Sequence, residues 1–526
     1  MKRNSFITLA MLVTLLTSCE NTNLSSSNNS DIINSETGKE SNSSQIINSS
    51  TTNSSFVLPE TPNIDDADYF NEENVVLSFG AISDTHLSAT SKIPTNLLDN
   101  VISYLEELNG NKELTGLVIG GDLVDTTWET NTRTLTDFEE FSSYIKNRID
   151  PNKTTLFYTL GNHDIDPTSV RGEDALNVPQ YYFEDLGHKY FKNDVNYQDY
   201  LGGTKVTGNR HAIINGYHFL SISPKYFWMP NGAFTQESLL WLTNTLDAIV
   251  EKNPNQPIFV LSHSPIEDTA RLTQNNMWIY HELEDVLRPY HQVIYMSGHI
   301  HNLISDELSI EQRDFTMIEL GSTKYSSAFN TITSSNSMWA NFNGGTKYDN
   351  DIGNLMIGSG SYVEIDSEGN VKITRILVNE DESIKGVFGE PWIIPAPKMD
   401  KTHLLKYRDD YRIEHNQAPV FNEDASLVTT TFIQDDAHNV RLTLSSADDD
   451  QYVEFYQITL KTIYGQTIYS KYYQTFYFKY VTGNQMPKAQ IYDIGNIAPG
   501  TYVIEVKAGD VWGALSEPIS TSIVIE

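Results

Sequence analysis

The sequence predicts an α/β domain followed by an all-β domain, and three observations carry that reading. From about residue 73, short apolar runs alternate with segments of helical spacing. From about residue 418, only strand-like segments follow, and a proline-rich passage, GEPWIIPAPKMD (389–400), lies between the two. At 526 residues the chain exceeds a typical single domain, so two or more folded units are expected.

In chain order, NVVLSFGAIS (74–83) is apolar almost throughout, as a strand buried on both faces must be. IPTNLLDNVISYLEELNG (93–110) carries apolar residues at helical spacing and stops at Gly110. LTGLVIGG (114–121) is the second strand, DFEEFSSYIKNRI (137–149) the second helix and TTLFYTLG (154–161) the third strand. A helix (235–252), the strand QPIFVLS (256–262), a helix (278–290) and the strand HQVIYMS (291–297) follow. This alternation predicts a largely parallel sheet covered on both faces, with ligands at the carboxyl ends of its strands. GSYVEIDSEGNVKITRILV (360–378) instead alternates around SEGN and predicts an antiparallel hairpin that closes the domain. Two stretches, 166–210 and 303–358, carry no clear pattern, and loops of that length form lids or binding surfaces. The expected boundaries are thus an α/β domain over 73–388, a linker over 389–417 and an all-β sandwich over 418–526. In the last of these, SLVTTTFIQ, NVRLTLSSA, QYVEFYQITLK, TFYFKYV and TYVIEVKAGD read as strands, with no internal repeat. The tail IAPGTYVIEVKAGDVWGALSEPISTSIVI resembles the last strands of fibronectin type III and other Ig-like sandwiches.

Residues 1–18 read as a secretory signal: MKR gives a positive start, FITLAMLVTLL an apolar core too short to span a membrane, and LTSC a small-residue cleavage site. LTSC also resembles the bacterial lipobox, in which the cysteine becomes the lipid-modified first residue. Cys19 is the single cysteine in the chain, so internal disulfides are excluded. Residues 19–72 read as a Ser/Asn-rich tether, too poor in apolar residues to fold. As a flexible coil, residues 20–58 of it span about 35 Å. The expectation is an exported protein, lipid-anchored on the extracytoplasmic face of a bacterial membrane. The formal charge of −34 argues against nucleic acid as a partner, since phosphate backbones are gripped by Lys and Arg.

The chemistry sits at five strand ends. The first strand leads into SDTH (Asp84, His86), the second into GGDLVD (Asp122, Asp125), and the third into GNHD (Asn162, His163, Asp164). The fourth ends in SHSP (His263) and the fifth in GHIH (His299, His301). Five of the thirteen histidines lie at these ends. For any single element, a solvated turn is a sufficient explanation; five elements in succession require a shared cleft. Asp, Asn and His without thiolate suit Mn, Fe or Zn. Seven such ligands exceed what one ion takes and fit two ions sharing a carboxylate. Two divalent cations against two aspartates leave about +2 formal charge, enough to activate a water and draw in phosphate. Taken alone, His299 and His301 could serve one ion or two.

The ordered set D-x-H, GD-x-x-D, GNHD, H and GH-x-H closely resembles the calcineurin-like metallophosphoesterase superfamily, over roughly residues 75–380. That resemblance implies a four-layer α-β-β-α sandwich and a dinuclear centre that hydrolyses phosphoesters with a metal-activated water. It implies Asp84, His86 and His301 on the first metal, Asn162, His263 and His299 on the second, and Asp122 as the bridge. His163 would be the unligated histidine beside the scissile phosphate, and Asp125 the carboxylate that orients it. Departures narrow the class. Protein Ser/Thr phosphatases carry Arg where this chain has Thr126 and GNHE where it has GNHD. Purple acid phosphatases have Tyr where this chain has Asp125 and lack the histidine that here is His86. The wording is closer to phosphodiesterase-type members, with a phosphomonoesterase or nucleotidase as the alternative and a binding protein on an inactive scaffold as the third reading. Aromatic and basic residues in the long connections (Tyr181, Tyr182, Arg210, Trp228, Arg271, Trp278, Trp339) could line a pocket, but each is read first as core or lid packing. The all-β domain is expected either to space the catalytic domain or to bind a surface glycan or protein.

Overall fold

The computed structural model describes residues 70–125, 131–164, 209–224, 233–271, 273, 280–324, 356–434, 437–475, 477, 481, 487–495 and 497–526, the side chains of 131–135 excepted. The expected signal, Cys19, most of the tether, Thr126, Tyr181, Tyr182, Trp228, Trp278 and Trp339 lie outside these residues. Among the described residues no helix is long and apolar enough to cross a membrane.

Two mixed sheets form the α/β part, where the alternation had suggested one largely parallel sheet. The first contains β1 (Val75–Ile82), β2 (Gly116–Ile119), β3 (Thr155–Tyr158), β10 (Ile357–Asp366), β11 (Val371–Asn379), β12 (Lys385–Val387) and β13 (Trp392–Ile394). Its order is β12-β11-β10-β1-β2-β3, with β13 also on β11. The second contains β4 (Arg210–Ile214), β5 (Tyr217–Ser221), β6 (Ile258–Leu261), β7 (Val293–Ser297), β8 (Ile310–Gln312) and β9 (Thr316–Glu319), in the order β4-β5-β6-β7-β9-β8. β1, β2 and β3 run parallel in one sheet. β5, β6, β7 and β9 run parallel in the other. The 360–378 hairpin is β10–β11, antiparallel.

The central strands β2 and β6 are apolar and buried at every position because both their faces are covered, yet the strands still sort by period two. Val118, Phe157, Phe259, Leu261, Ile294 and Met296 point into the space between the sheets. Their neighbours Leu117, Ile119, Leu156 and Tyr158 pack outward under α1 (Ile93–Leu108) and α2 (Asn131–Arg148). On the other side Ile258, Val260, Val293 and Tyr295 pack under α3 (Gln236–Lys252) and α4 (His281–Leu287). The layers are therefore helix, sheet, sheet, helix. Phe79, Phe219 and Phe259 join the sheets at the centre, with ring centroids 4.8–5.2 Å apart. Local signals set the helix starts: Pro94 lies in the first turn of α1, and Thr235 Oγ1 caps α3 by accepting from Ser238 N at 3.1 Å.

Elements that the spacing did not predict are short. The β4–β5 hairpin turns on Asn215 (φ 47°) and Gly216 (φ 88°), the left-handed pair a two-residue hairpin needs. β8 and β9 occupy the start of the patternless stretch 303–358. The expected linker, 389–417, is itself built in: Trp392–Ile394 pairs with β11, and α5 (Asp409–His415) buries Arg412.

The all-β part has two antiparallel sheets, β14 (Leu427–Gln434), β15 (Ala437–Ser445) and β18 (Ala489–Ile494) facing β17 (Thr467–Gln474), β16 (Phe455–Thr462), β19 (Gly500–Gly509) and β20 (Ile519–Ile525). Val440, Leu442 and Ile494 from one sheet share a core with Tyr456, Ile458, Ile504 and Val506 from the other. Of the strand expected over TFYFKYV, residues 476 and 478–480 lie outside those described, and the strand pairing with β16 is the preceding TIYSKYYQ.

Candidate metal centre

The five ligand-bearing ends come from both sheets: β1, β2 and β3 from one, β6 and β7 from the other. Past their last ladder bonds the β1 and β2 loops stay laced together. Asp84 N donates to Gly121 O at 3.0 Å, His86 N to Asp122 O at 2.9 Å and Leu87 N to Leu123 O at 3.0 Å. Gly298 N, after β7, donates to His263 O at 2.8 Å. Asp164 ties β3's loop to β2's, accepting from Val124 N at 3.1 Å and from Gly161 N at 2.7 Å. Burial and the charge of Asp122 push the Asp164 carboxyl up to about 8.

The ends bring the expected aspartates and histidines together. Ligand atoms of Asp84, His86, Asp122 and His301 lie within 4.8 Å of one another, and so do those of Asp122, His263 and His299. Asp122 is common to both groups. His301 Nε2 is 3.0 Å from Asp84 Oδ1, and His263 Nε2 is 3.3 Å from Asp122 Oδ2. His86 Nε2 approaches His301 Nε2 to 3.1 Å. Two imidazole nitrogens each about 2.1 Å from one ion lie about 3.0–3.4 Å apart, so this approach fits a shared cation. Asn162 Oδ1 is buried and accepts no hydrogen bond among the described residues, as a neutral oxygen ligand would. His263 donates its Nδ1 proton to Gly120 O at 2.9 Å, which leaves Nε2 as the ligand atom. By donor type and placement, these residues fit divalent metal ions.

The backbone is bent to make this possible. Asp84 (φ 52°), His86 (43°), Asp122 (48°), His299 (78°) and His301 (55°) are half of the ten non-glycine residues with positive φ among those described. Such conformations are costly for side-chain-bearing residues and cluster where geometry is over-determined by function. Close approach is the second requirement. A Cβ on Gly298 would overlap Ser83 Oγ and Asp84 Oδ2, and one on Gly161 would overlap Asp122 Oδ1.

Charge follows from burial. Burial opposes ionisation of Asp84, but His301 and His263 outweigh it and hold the carboxyl well below its usual range. Asp122 is held down in the same way, chiefly by His263 and His163 against its burial. Burial alone would lower His86 and His263, yet the neighbouring carboxylates raise them to about 9 and about 10. His299, where burial dominates, falls to about 3, and His301 is lowered as well.

His163 is partly open: its side chain is 32% exposed, while Asp84, His86 and Asp122 are fully buried. Its backbone N donates to Asp122 Oδ1 at 2.8 Å. Asp125 Oδ1 stands 3.5 Å from His163 Nδ1 and 3.6 Å from His86 Nδ1. Asp125 Oδ2 accepts from Lys324 Nζ at 2.7 Å. Hydrogen bonding with His163, His86 and Lys324 holds the Asp125 carboxyl well below its usual range despite its burial. Lys324 was not legible in the sequence, because it lies 199 positions from Asp125 in a stretch without a pattern. Of the loop residues read as packing, Arg210 lies over the rings of Tyr158 (4.5 Å) and Phe157 (5.3 Å), and Arg271 is buried in ion pairs.

Two outcomes follow. Gly298→Ala should displace Asp84 and lower bound metal at least about tenfold, measured by elemental analysis of the folded variant. In the metal-free protein His86 and His263 are protonated at pH 7, so metal uptake must release protons. Affinity should then rise by about one power of ten per pH unit for each proton displaced, until pH passes the raised values, as calorimetry in buffers of different ionisation enthalpy would record. The sign for stability is opposite. Raised histidine pKa values stabilise the metal-free fold below the ordinary imidazole value, and that contribution is lost as pH rises through 9–10.

No curated protein matches the chain. Among solved structures, that of the MHC-like protein MILL2 is 9% identical, covers 32% of this chain and 67% of that chain, and has a TM-score of 0.15, too low to carry an argument. Residues 77–303, a span that contains every candidate ligand, match the family model of the calcineurin-like phosphoesterases.

Proposed function

We propose that the protein is a metal-dependent hydrolase of phosphoester bonds, acting on phosphodiesters. The observation that carries the reading is Asp122, whose carboxylate belongs to both groups of ligand atoms. In this reading Asp84, His86 and His301 hold one divalent ion and Asn162, His263 and His299 the other, with Asp122 between them. The ions, Mn, Fe or Zn, supply the positive charge that holds the phosphate and lets water act as nucleophile near neutral pH. The chain's own residues do the rest. His163, open to solvent beside the buried cluster, is placed to give a proton to the leaving oxygen. Asp125 fixes the imidazole's orientation, and Lys324 keeps Asp125 ionised.

The reading extends to the ends of the chain. The signal over 1–18 and Cys19 support export and a lipid anchor on the extracytoplasmic face of a bacterial membrane, with residues 19–72 as the tether. Two acyl chains are what stable anchoring requires. For the all-β part the Ig-like reading draws on the three-plus-four strand arrangement. It also draws on Tyr502, whose hydroxyl donates to Ala498 O at 2.9 Å in the manner of a tyrosine corner.

Metal-loaded protein should cleave bis(p-nitrophenyl) phosphate faster than p-nitrophenyl phosphate. A reversed ratio would favour the monoesterase alternative, and no turnover of either ester would exclude a phosphoesterase. His299→Ala and His301→Ala should each empty a different ion site, read by metal stoichiometry. Loss of the same ion from both variants would overturn the split assignment.

A further inference from the structure

The chain leaving β7 carries His299 and His301 and then runs to a buried cluster of charge. Asn302 Nδ2 donates to Arg271 O at 3.0 Å. The Arg271 guanidinium binds Asp306 through Nε and, at 3.2 Å, through Nη2. The same Nη2 is 2.8 Å from Glu454 Oε1 in the all-β part, with the two side chains 5% and 1% exposed. Arg271 therefore clamps two ligand-bearing connections. Its own follows His263 by eight residues, and Asp306 follows His301 by five. The next residue is held from the same side: Glu307 N donates to Tyr452 Oη at 3.2 Å. Its carboxylate accepts from Arg375 and Arg412, both at 2.7 Å, and from Trp392 Nε1 at 3.2 Å. Tyr452, Tyr477, Val511 and Trp512 of the all-β part belong to the same continuous core as Leu303, Ile304 and Ile310.

A flexible spacer would have a wet, separable boundary, and inter-domain contacts within a chain usually resemble transient interfaces. Here a buried Arg271–Glu454 contact crosses the boundary; burial pushes the Glu454 carboxyl up to about 8, against the pull of Arg271. The backbone on either side of it is fixed. Glu454 N donates to Gly509 O at 2.9 Å, and Glu454 O accepts from Thr475 N at 3.0 Å. Asp306 Oδ1 also accepts from Leu308 N at 3.0 Å. We infer that the all-β part is a working component of the metal centre: Glu454, acting through Arg271 and Asp306, positions the loop that presents His299 and His301. Glu454 is thus a positioning residue, with no contact to substrate. The inference rests on the dinuclear reading above.

The chemistry of the clamp selects the variants. Removing Arg271 would leave Asp306 and Glu454 buried without their guanidinium, whereas replacing Glu454 leaves the Arg271–Asp306 pair intact. Glu454→Gln keeps an acceptor for Arg271, and Glu454→Ala removes it. Tyr502→Phe serves as the control, since it weakens the all-β part far from the clamp. Metal affinity is measured by titrating the metal-free full-length chain with Mn or Zn, below the temperature at which any variant unfolds. Glu454→Ala should weaken at least one ion site by about tenfold or more, the usual range for groups that orient ligands. It should lower kcat on bis(p-nitrophenyl) phosphate by a similar factor, with KM changed less than about twofold. Glu454→Gln should fall between it and the native chain, and Tyr502→Phe should lower Tm while leaving affinity and kcat unchanged. Native metal affinity and kcat in folded Glu454→Ala or Glu454→Gln, with only Tm reduced, would overturn the inference. So would equal losses in Tyr502→Phe. Because metal binding is read without substrate, a chain that binds two ions but cleaves no ester would overturn the proposed reaction alone. A native chain that takes up no ion would overturn both.

Discussion

Two carboxylates, Asp84 and Asp122, lie in the interior where the two sheets end, and the rest of the site follows from that placement. Burying ionised carboxylates is costly unless positive charge lies against them. Imidazoles supply it here, which is why His86 and His263 hold protons so tightly. A site that concentrates negative charge and binds protons this strongly is, chemically, a site for cations. The same demand explains the backbone. Carboxylate and imidazole groups from five loops can meet only if the chain turns sharply, so five ligand residues adopt left-handed conformations. Gly161 and Gly298 leave room that a side chain would close.

The sandwich of layers supplies the rigidity that such crowding needs. Each central strand sends alternate residues to the inter-sheet core and to the helix-covered face, so no strand end can shift without disturbing two cores. The phenylalanine cluster of Phe79, Phe219 and Phe259 spans both sheets. It joins the half that presents Asp84, Asp122 and Asn162 to the half that presents His263, His299 and His301. Each group of ligand atoms draws on both sheets, so registration between the sheets is what assembles each group.

The segment expected to be a linker adds a third support. Trp392–Ile394 extends the first sheet, Arg412 reaches Glu307, and the inter-sheet core runs on into Tyr452 and Trp512. Proline-rich composition reported accurately that regular helix and long strand stop there. It carried no information about whether the irregular chain was free or packed, because a three-residue strand and a buried arginine leave no periodic trace.

What the sequence by itself determined was the set of strands that end in Asp, Asn and His, since a strand apolar on both faces has no other reading and its polar exit stands out. The order of those exits, Asp84 to His301, already named the residues that the fold collects. The motif resemblance already implied two sheets between helices; only the tertiary structure decided which exits belong to which sheet, because a parallel run looks the same in one sheet or split between two. It alone placed Lys324 on Asp125, Asp164 between two loops, and Glu454 against Arg271. These pairings join residues 199, 40 and 183 positions apart, and neither spacing nor composition encodes contacts of that range.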